Sequence, residues 1–593
     1  DQRTINEDGS HQALVCVVCD EVIKGVEPFH WIDEEVLRGD DIKDRLGVER
    51  YEEHYRLELK DELIRQYSLP GLEGMLLSPR SKRSTDEKRT CCEECFKSLT
   101  KSQGNSDGDC GPPKKSIANG FACGHIPNKF ELKNADGTTT VVTINEDDLT
   151  DMLCAFLSPT RPYGYCFAYS GGAHKSLRGH FFFYETDLEA VGATMHAIQR
   201  THANPQIYAV LCGRMTLKQK EIARQHAEID TRVLTALLTW FIEQSGHPAY
   251  KDLTVPAECA KPIIIRDPDT ANNTDNEQDV AKETSFAGST FHFAPGTHPT
   301  SENSVYETND KFVMAMMNCT MPTLHVHGGE YANLKELKLE NVCPVQFPFG
   351  LGGPSENRET PISPEETYKH YCQLSSRQFM RGDFLLVLKH MHNRMLSFKR
   401  ACMSAKTSAF DSTVGKKMAE ISMAALERAA TLADLGRHVG GVAGRLIKTL
   451  KGTSRSSGYS KESAKFHRRQ HWALCDYFGL PALFFTITPC DECTFRVRLF
   501  VDADKPHFLP KLIEDPFSKE ATDICDVDFT LRAKQRTKYP GACSLVYESL
   551  MQIVIKCLLG WNSDKQVGEE GIFGILEAWA RTDEEQGRKT PHG

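Results

Sequence analysis

Four cysteines are the residues in this sequence most clearly spaced for chemistry. Cys16-Val-Val-Cys19 and Cys92-Glu-Glu-Cys95 are two C-x2-C knuckles, the spacing at which two thiolates chelate one tetrahedral zinc ion. The intervening stretch is longer than a compact finger and has to loop out. Cys91 offers itself in place of Cys92, and unrelated buried cysteines are the alternative reading. A closed set of four thiolates staples a fold and leaves no open coordination position for catalysis. A third pair, Cys490-Asp-Glu-Cys493, has no matching partner and reads as coincidence.

Two further patterns imitate active sites. His325-Val-His327 places two imidazoles on one face of a strand, where they are able to hold a divalent cation against a phosphodiester. It runs into a Gly-Gly turn with no tyrosine nucleophile in an obvious helix nearby, so chance is the stronger reading. The stretch Phe349–Pro354, "FGLGGP", lacks the Lys-Ser/Thr of a P-loop and reads as a turn. No GxxxxGK[ST] occurs in the sequence.

A polyanion is the natural partner of one basic window. From Arg437 to His471 the cations are Arg437, Arg445, Lys448, Lys451, Arg455, Lys461, Lys465, Arg468 and Arg469, against the single acid Glu462. Tyr459, His467 and Trp472 are interleaved. Phosphate attraction with ring stacking suits single-stranded nucleic acid; a solvated helix face is the plainer alternative.

The elements that must position these groups belong to an ordinary globular chain. It has 593 residues, 40% hydrophobic and 26% charged, and a formal charge of −10. That length calls for two to four domains, and the charge excludes a uniformly basic nucleic-acid coat. Twenty-one cysteines behind a polar N-terminus with no signal-peptide core point to a reducing compartment. No apolar run is expected to approach the roughly 18–20 residues that cross a bilayer, so no membrane partner is expected. The absence of a starting Met suggests a fragment.

Residues 1–200 mix cysteine pairs with strand-like runs such as "TTTVVTI" and "GHFFFYE". Thr216 to Pro248 reads as a core-facing helix, with Ile222, Ile229, Val233, Leu237, Trp240 and Phe241 on one stripe. Residues 266–303 are polar and turn-rich, a linker. From about 366 to 450 the pattern is helical. The runs "ALFFTIT", "FRVRLFV" and "GIFGILEAWAR" read as strands around a helix, "SLVYESLMQIVIKCLLGW".

Several islands carry a family resemblance. "PPKKSIANGFACGHIP" and its flanks resemble the cysteine-rich domain found ahead of the Helitron region. "VQFPFGLGGP", "RQFMRGDFLLVLKHMHNR", "DYFGLPALFFTITPCDECTFRVRLF" and "EEQGRKTPHG" resemble motifs of Helitron transposases, the rolling-circle replication-helicase proteins. The last two are the most specific. Lys589 and Cys490 depart from the family pattern, as in a decaying element copy.

The resemblance implies an α+β, multidomain chain. A zinc-ribbon-like cysteine-rich domain (10–200) has a helical extension (201–265), then a disordered linker (266–303) and a connecting segment (304–365). A Helitron helicase-like N-terminal domain (366–593) follows, mostly helical at first and then a partial antiparallel-sheet HUH-type nuclease. His592 is implied to be the first histidine of a His-x-His that holds Mg²⁺ or Mn²⁺, with Gln586, Arg588 and Thr590 on its face. His325–His327 then lies outside the catalytic domain. The second histidine, the nucleophilic tyrosine and the helicase are not in the sequence, so this chain is expected to be inactive in nicking. Zinc on Cys16, Cys19, Cys92 and Cys95, single-stranded DNA on the basic window, a helicase in cis if a longer chain exists, and a nuclear location complete the expectation. The rival is a non-catalytic, zinc-stabilised nucleic-acid-binding module. Metal loss is expected to loosen residues 1–200 and to leave the region after 366 folded.

Overall fold

The computed structural model describes residues 2–100, 110–133, 138–145, 148–150, 153–154, 157–168, 175–185, 207–213, 231–253, 289–295, 336–453, 460–489, 495–503, 506, 535–585 and 591–592. His325, His327, Arg455, Tyr459, Cys490, Cys493, Gln586, Arg588 and Thr590 lie outside them. For Lys461 and His592 the backbone alone is described.

Strands β1 (Phe29–Asp33) and β2 (Lys88–Cys92) pair antiparallel, with Phe29 opposite Cys92 and His30 opposite Cys91. Between them run four short helices, α1 (Glu34–Leu37), α2 (Asp40–Arg45), α3 (Val48–Tyr55) and α4 (Asp61–Tyr67). They bury Leu37, Ile42, Tyr51 and Leu63, so the long loop-out between the knuckles is itself a packed unit. Helix α5 (Glu93–Thr100) follows directly from β2.

Three more strand pairs complete this half. β3 (Lys129–Lys133) pairs with β4 (Thr139–Thr143), and β5 (Thr160–Ala168) with β6 (Lys175–Glu185), both antiparallel. β7 (Ile207–Gly213) and β8 (Ser289–Pro295) are parallel. β8 falls within 266–303, read from composition as a linker. Its "STFHFAP" is locally rich in β-branched and aromatic residues, which the polar average of the whole stretch concealed. Helix α6 (Thr231–Glu243) buries Val233, Leu234, Leu237, Trp240 and Phe241, the core-facing helix the periodicity predicts. Gly246 turns the chain away at φ +73.

Among the described residues, further α-helices are α7 (Leu339–Val342), α8 (Pro364–Tyr371), α9 (Gly382–Ala405), α10 (Ser408–Thr413), α11 (Met423–Asp434), α12 (Gly441–Thr453), α13 (Lys461–Phe478), α14 (Phe495–Val501) and α15 (Pro540–Ile553). Helix α8 starts in a full capping box, Ser363 with Glu366, and has Pro364 at its first position.

The C-terminal strand expectations need correction. "FRVRLFV" is α14: Val497, Phe500 and Val501 share a buried helical face against α15, and so short an apolar run does not fix its own period. "ALFFTIT" forms no strand, with Leu483, Phe484 and Phe485 exposed. "GIFGILEAWAR" contributes two-residue pairings only. The described residues after 366 therefore contain no antiparallel sheet larger than such pairings, in place of the expected nuclease sheet.

Pro540–Leu558 is, by length and composition, apolar enough to cross a membrane, with a mean hydropathy of 1.3. The sequence reading missed it. Its Ala542, Leu545 and Val546 are buried in one cluster with Val15, Val22 and Met380, as in the core helix of a globular unit.

The cores ignore sequence order. Phe121, Cys123, Phe181 and Phe183 pack with Phe347, Tyr371, Phe379 and Phe384. "FGLGGP" is the hinge of that junction: Gly350 and Gly352 take φ of +67 and +87. A Cβ on Gly352 would collide with Cys123. Tyr371 Oη and Arg358 Nη2 donate to the carbonyls of Gly352 and Gly353 at 2.6 and 2.8 Å. The glycine-rich stretch is thus a buried structural turn, as its lack of a P-loop lysine indicates.

Candidate metal centre and basic helices

Cys16, Cys19, Cys92 and Cys95 converge with their sulfurs all within 4.8 Å of one another. Zinc–thiolate bonds of about 2.3 Å in a tetrahedron set sulfur–sulfur edges of about 3.8 Å. Cys19 Sγ and Cys92 Sγ already lie 3.8 Å apart, so the tetrad fits a zinc ion with a small contraction. Cys16, Cys19 and Cys95 are buried and Cys92 is half-buried.

Local geometry explains the convergence. The first knuckle turns at Asp20, which takes φ +60, and Asp20 N–H bonds the Cys16 carbonyl at 3.0 Å. The second knuckle lies where β2 becomes α5, and Cys95 N–H points at Cys92 Sγ at 3.5 Å. Cys91, one residue earlier, lies 4.0 Å from Cys16 Sγ and is a neighbour of the tetrad.

Burial alone would raise the Cys16 thiol, yet hydrogen bonds from Cys19, Cys91, Cys92 and Cys95 outweigh it and hold that group well below its ordinary value. Burial, with hydrogen bonds to Cys16 and its neighbours, pushes Cys19 well up. Four convergent sulfurs, with Cys16 held low, are a donor set that a soft or borderline cation completes by displacing protons.

A second ring of polar groups, invisible in the sequence, grips the first knuckle. Asp20 Oδ2 accepts from Arg80 at 2.7 Å and Asp20 Oδ1 from Ser375 Oγ at 2.8 Å. Glu21 Oε1 lies 2.8 Å from His370 Nδ1 and 3.6 Å from Lys115 Nζ. Burial favours protonated Glu21, but His370 and then Lys115 overcome it and keep the carboxyl below its usual range. Backbone bonds run from Ser375 N–H to the Asp20 carbonyl and from Val22 N–H to the Gln373 carbonyl, at 2.9 and 2.8 Å. The pairing of Asp20-Glu21 with 370–375 spans some 350 positions, and no local signal announces it.

The basic window divides between two helices. Arg445, Lys448 and Lys451 are on α12, with Arg445 and Lys448 exposed. Lys465, Arg468 and Arg469 are on α13 and exposed; Lys465 pairs with Glu462 at 3.0 Å, and Lys461 opens the same helix. Trp472 is 62% exposed, and beyond it Tyr477 is 82% and Phe484 92% exposed. These last two rings were not singled out from sequence, because an aromatic residue at the end of a helix or just past it is ordinarily core. His592 ends the two-residue strand Pro591–His592, where its register partner is Glu584.

Residues 367–593 match the family model described as the Helitron helicase-like domain at N-terminus, and residues 109–261 match a domain of unknown function, DUF6570. No curated protein and no solved structure matches the chain. The buried cysteine tetrad is a candidate metal centre at the contact between the N-terminal region and this matched segment, and the chain carries a Helitron helicase-like N-terminal domain.

Proposed function

We propose that this protein is part of a Helitron-type transposition system and acts on single-stranded DNA during rolling-circle transfer in the nucleus. The match over 367–593 carries this reading. Cys16, Cys19, Cys92 and Cys95 hold a structural zinc, whose closed thiolate shell binds and orients without exposing a reactive position. Helix α13 supplies exposed cations and rings that attract phosphates and stack bases. His592 supplies one imidazole to a Mg²⁺ or Mn²⁺ site. When bound, such an ion polarises a scissile phosphate.

The test is binding of a labelled single strand and of its duplex at stepped salt, with Mn²⁺ present or absent. Preference for the single strand, weakening steeply with salt, is expected; equal retention of both forms overturns the reading. The closed cysteine tetrad also favours a second reading, a non-catalytic zinc-stabilised nucleic-acid-binding module. A Mn²⁺-dependent gain in single-strand affinity that disappears in His592→Ala separates the first from the second.

A further inference from the structure

Helices α9 and α12 pack against one another although both are cationic. Between Phe384 and Phe410 the sequence has Lys389, Arg394, Lys399, Arg400 and Lys406 and no acid; α12 adds Arg445, Lys448 and Lys451, again with no acid. The adjoining helix α8 carries Glu365, but that carboxylate is paired with Lys369 at 3.0 Å. Pressing two positive helices together raises their mutual repulsion, which a bound polyanion relieves.

A cleft of about 470 Å³ opens between them. Exposed Lys399, Arg400 and Met403 form its rim, half-buried Leu396 an apolar wall, and Gly452 with buried Thr453 the α12 side. That volume lies within the roughly 300–1,000 Å³ of small-ligand pockets. Cations beside an apolar recess match a nucleotide: phosphates on the rim, a base face against Leu396 and Met403. In a duplex the bases are stacked and paired, so only an unpaired strand has a base free to enter.

We propose that the cleft between α9 and α12 is a subsite for one unstacked base and its flanking phosphates in a single-stranded polynucleotide. The subsite rests on the DNA-acting reading above and adds Lys399, Arg400 and Gly452 to the contact surface.

The experiment measures anisotropy of fluorescent oligo-dT and of a duplex of equal length with the full 593-residue protein. It compares wild type, Lys399→Ala/Arg400→Ala, Gly452→Leu and Arg468→Ala/Arg469→Ala. A Cβ on Gly452 meets no atom within 4 Å, so a side chain starts in open space beside the cleft, and leucine keeps every charge. Losing both rim cations lowers oligo-dT affinity about tenfold and flattens the log–log salt slope by about 1.4, at about 0.7 for each single-strand phosphate. Gly452→Leu weakens oligo-dT binding about fivefold with the slope unchanged, and leaves duplex binding as it was. Oligo-dT binding unaltered in Gly452→Leu, or equal losses for strand and duplex, overturns the cleft. If the Arg468/Arg469 variant alone then loses binding, the DNA-acting reading stands without the cleft. If the wild-type protein retains neither oligonucleotide, both fall.

Discussion

His247 and Glu340 show how burial sets the chemistry of single residues. Ala249 N–H donates to His247 Nδ1 at 3.2 Å, so the ring carries its proton on Nε2, 3.4 Å from the Glu340 carbonyl oxygen. Burial lowers His247 to about 4 and raises the Glu340 carboxyl to about 7; Glu340 Oε2 has no hydrogen-bond partner. For His247 the unfolded chain binds the proton more tightly, so stability is lost as pH falls from about 6.5 to about 4. For Glu340 the folded chain binds it more tightly, so stability is lost as pH rises from about 4.5 to about 7. The two contributions oppose each other across nearly the same range. Glu340→Gln should leave the His247 contribution uncompensated, making stability rise from pH 4.5 to 6.5 by about 2–3 kcal/mol more than in wild type. His247→Gln should tilt the profile the other way. Urea denaturation at stepped pH reads both slopes, and parallel profiles for all three proteins would refute the assignment.

The cysteine tetrad makes a second residue-scale prediction. Purified full-length protein should contain about one zinc per chain, and Cys16→Ser/Cys92→Ser should lose it. Cys91→Ser should retain it, because Cys91 stands beside the tetrad at 4.0 Å from Cys16. Stoichiometric zinc in the double variant would sink the site, and loss of zinc in Cys91→Ser would move the fourth ligand by one position.

At the scale of elements, α13 differs from the other long helices. It caps itself, Ser460 Oγ accepting from Ser463 N–H at 3.0 Å, and is exposed along most of its length. A helix without a buried stripe depends on caps and local propensity, and its outward side chains stay available to a ligand. Trp472→Ala should therefore weaken single-strand binding by about 1–3 kcal/mol, the usual cost of a lost base stack. It should change unfolding free energy by no more than about 0.5 kcal/mol, as for other surface replacements. Titration of tryptophan fluorescence and thermal melting check the two halves. A large stability loss with intact binding would mark Trp472 as core.

For the whole molecule, the first knuckle lies where separate parts of the chain meet. Cys16-Val-Val-Cys19 bonds through its backbone to Thr90, Ser78 and Ile117, and Asp20 and Val22 bond to Ser375 and Gln373. Val15 and Val22, flanking the knuckle, are buried with α15. The expectation that metal loss leaves the region after 366 untouched is difficult to keep with this packing. Chelating the metal should raise hydrogen exchange at 16–22 and at 370–380 together, and lower the melting temperature of the whole protein. Exchange confined to residues before 130 would restore the independent-domain expectation. Such coupling follows from burial: Glu21 and Asp20 have partners far along the chain, and releasing the knuckle leaves those partners buried and unpaired.

Spacing and local pattern were enough for the features whose physics is local. The two C-x2-C knuckles, the stripe of α6, the helical run from 366 and the terminal motif each depend on a few neighbouring residues, and the family match over 367–593 agrees with the resemblance those motifs carry. Three things depended on contacts distant in sequence. "FRVRLFV" is a helix because α15 covers one of its faces. "ALFFTIT" forms no strand because strand structure needs a partner ladder, which a local pattern does not supply. Asp20 and Glu21, the grip of His370 and Ser375 on them, and the cleft of α9 with α12 exist only once the packed chain brings those residues together, since burial and charge crowding belong to the folded whole.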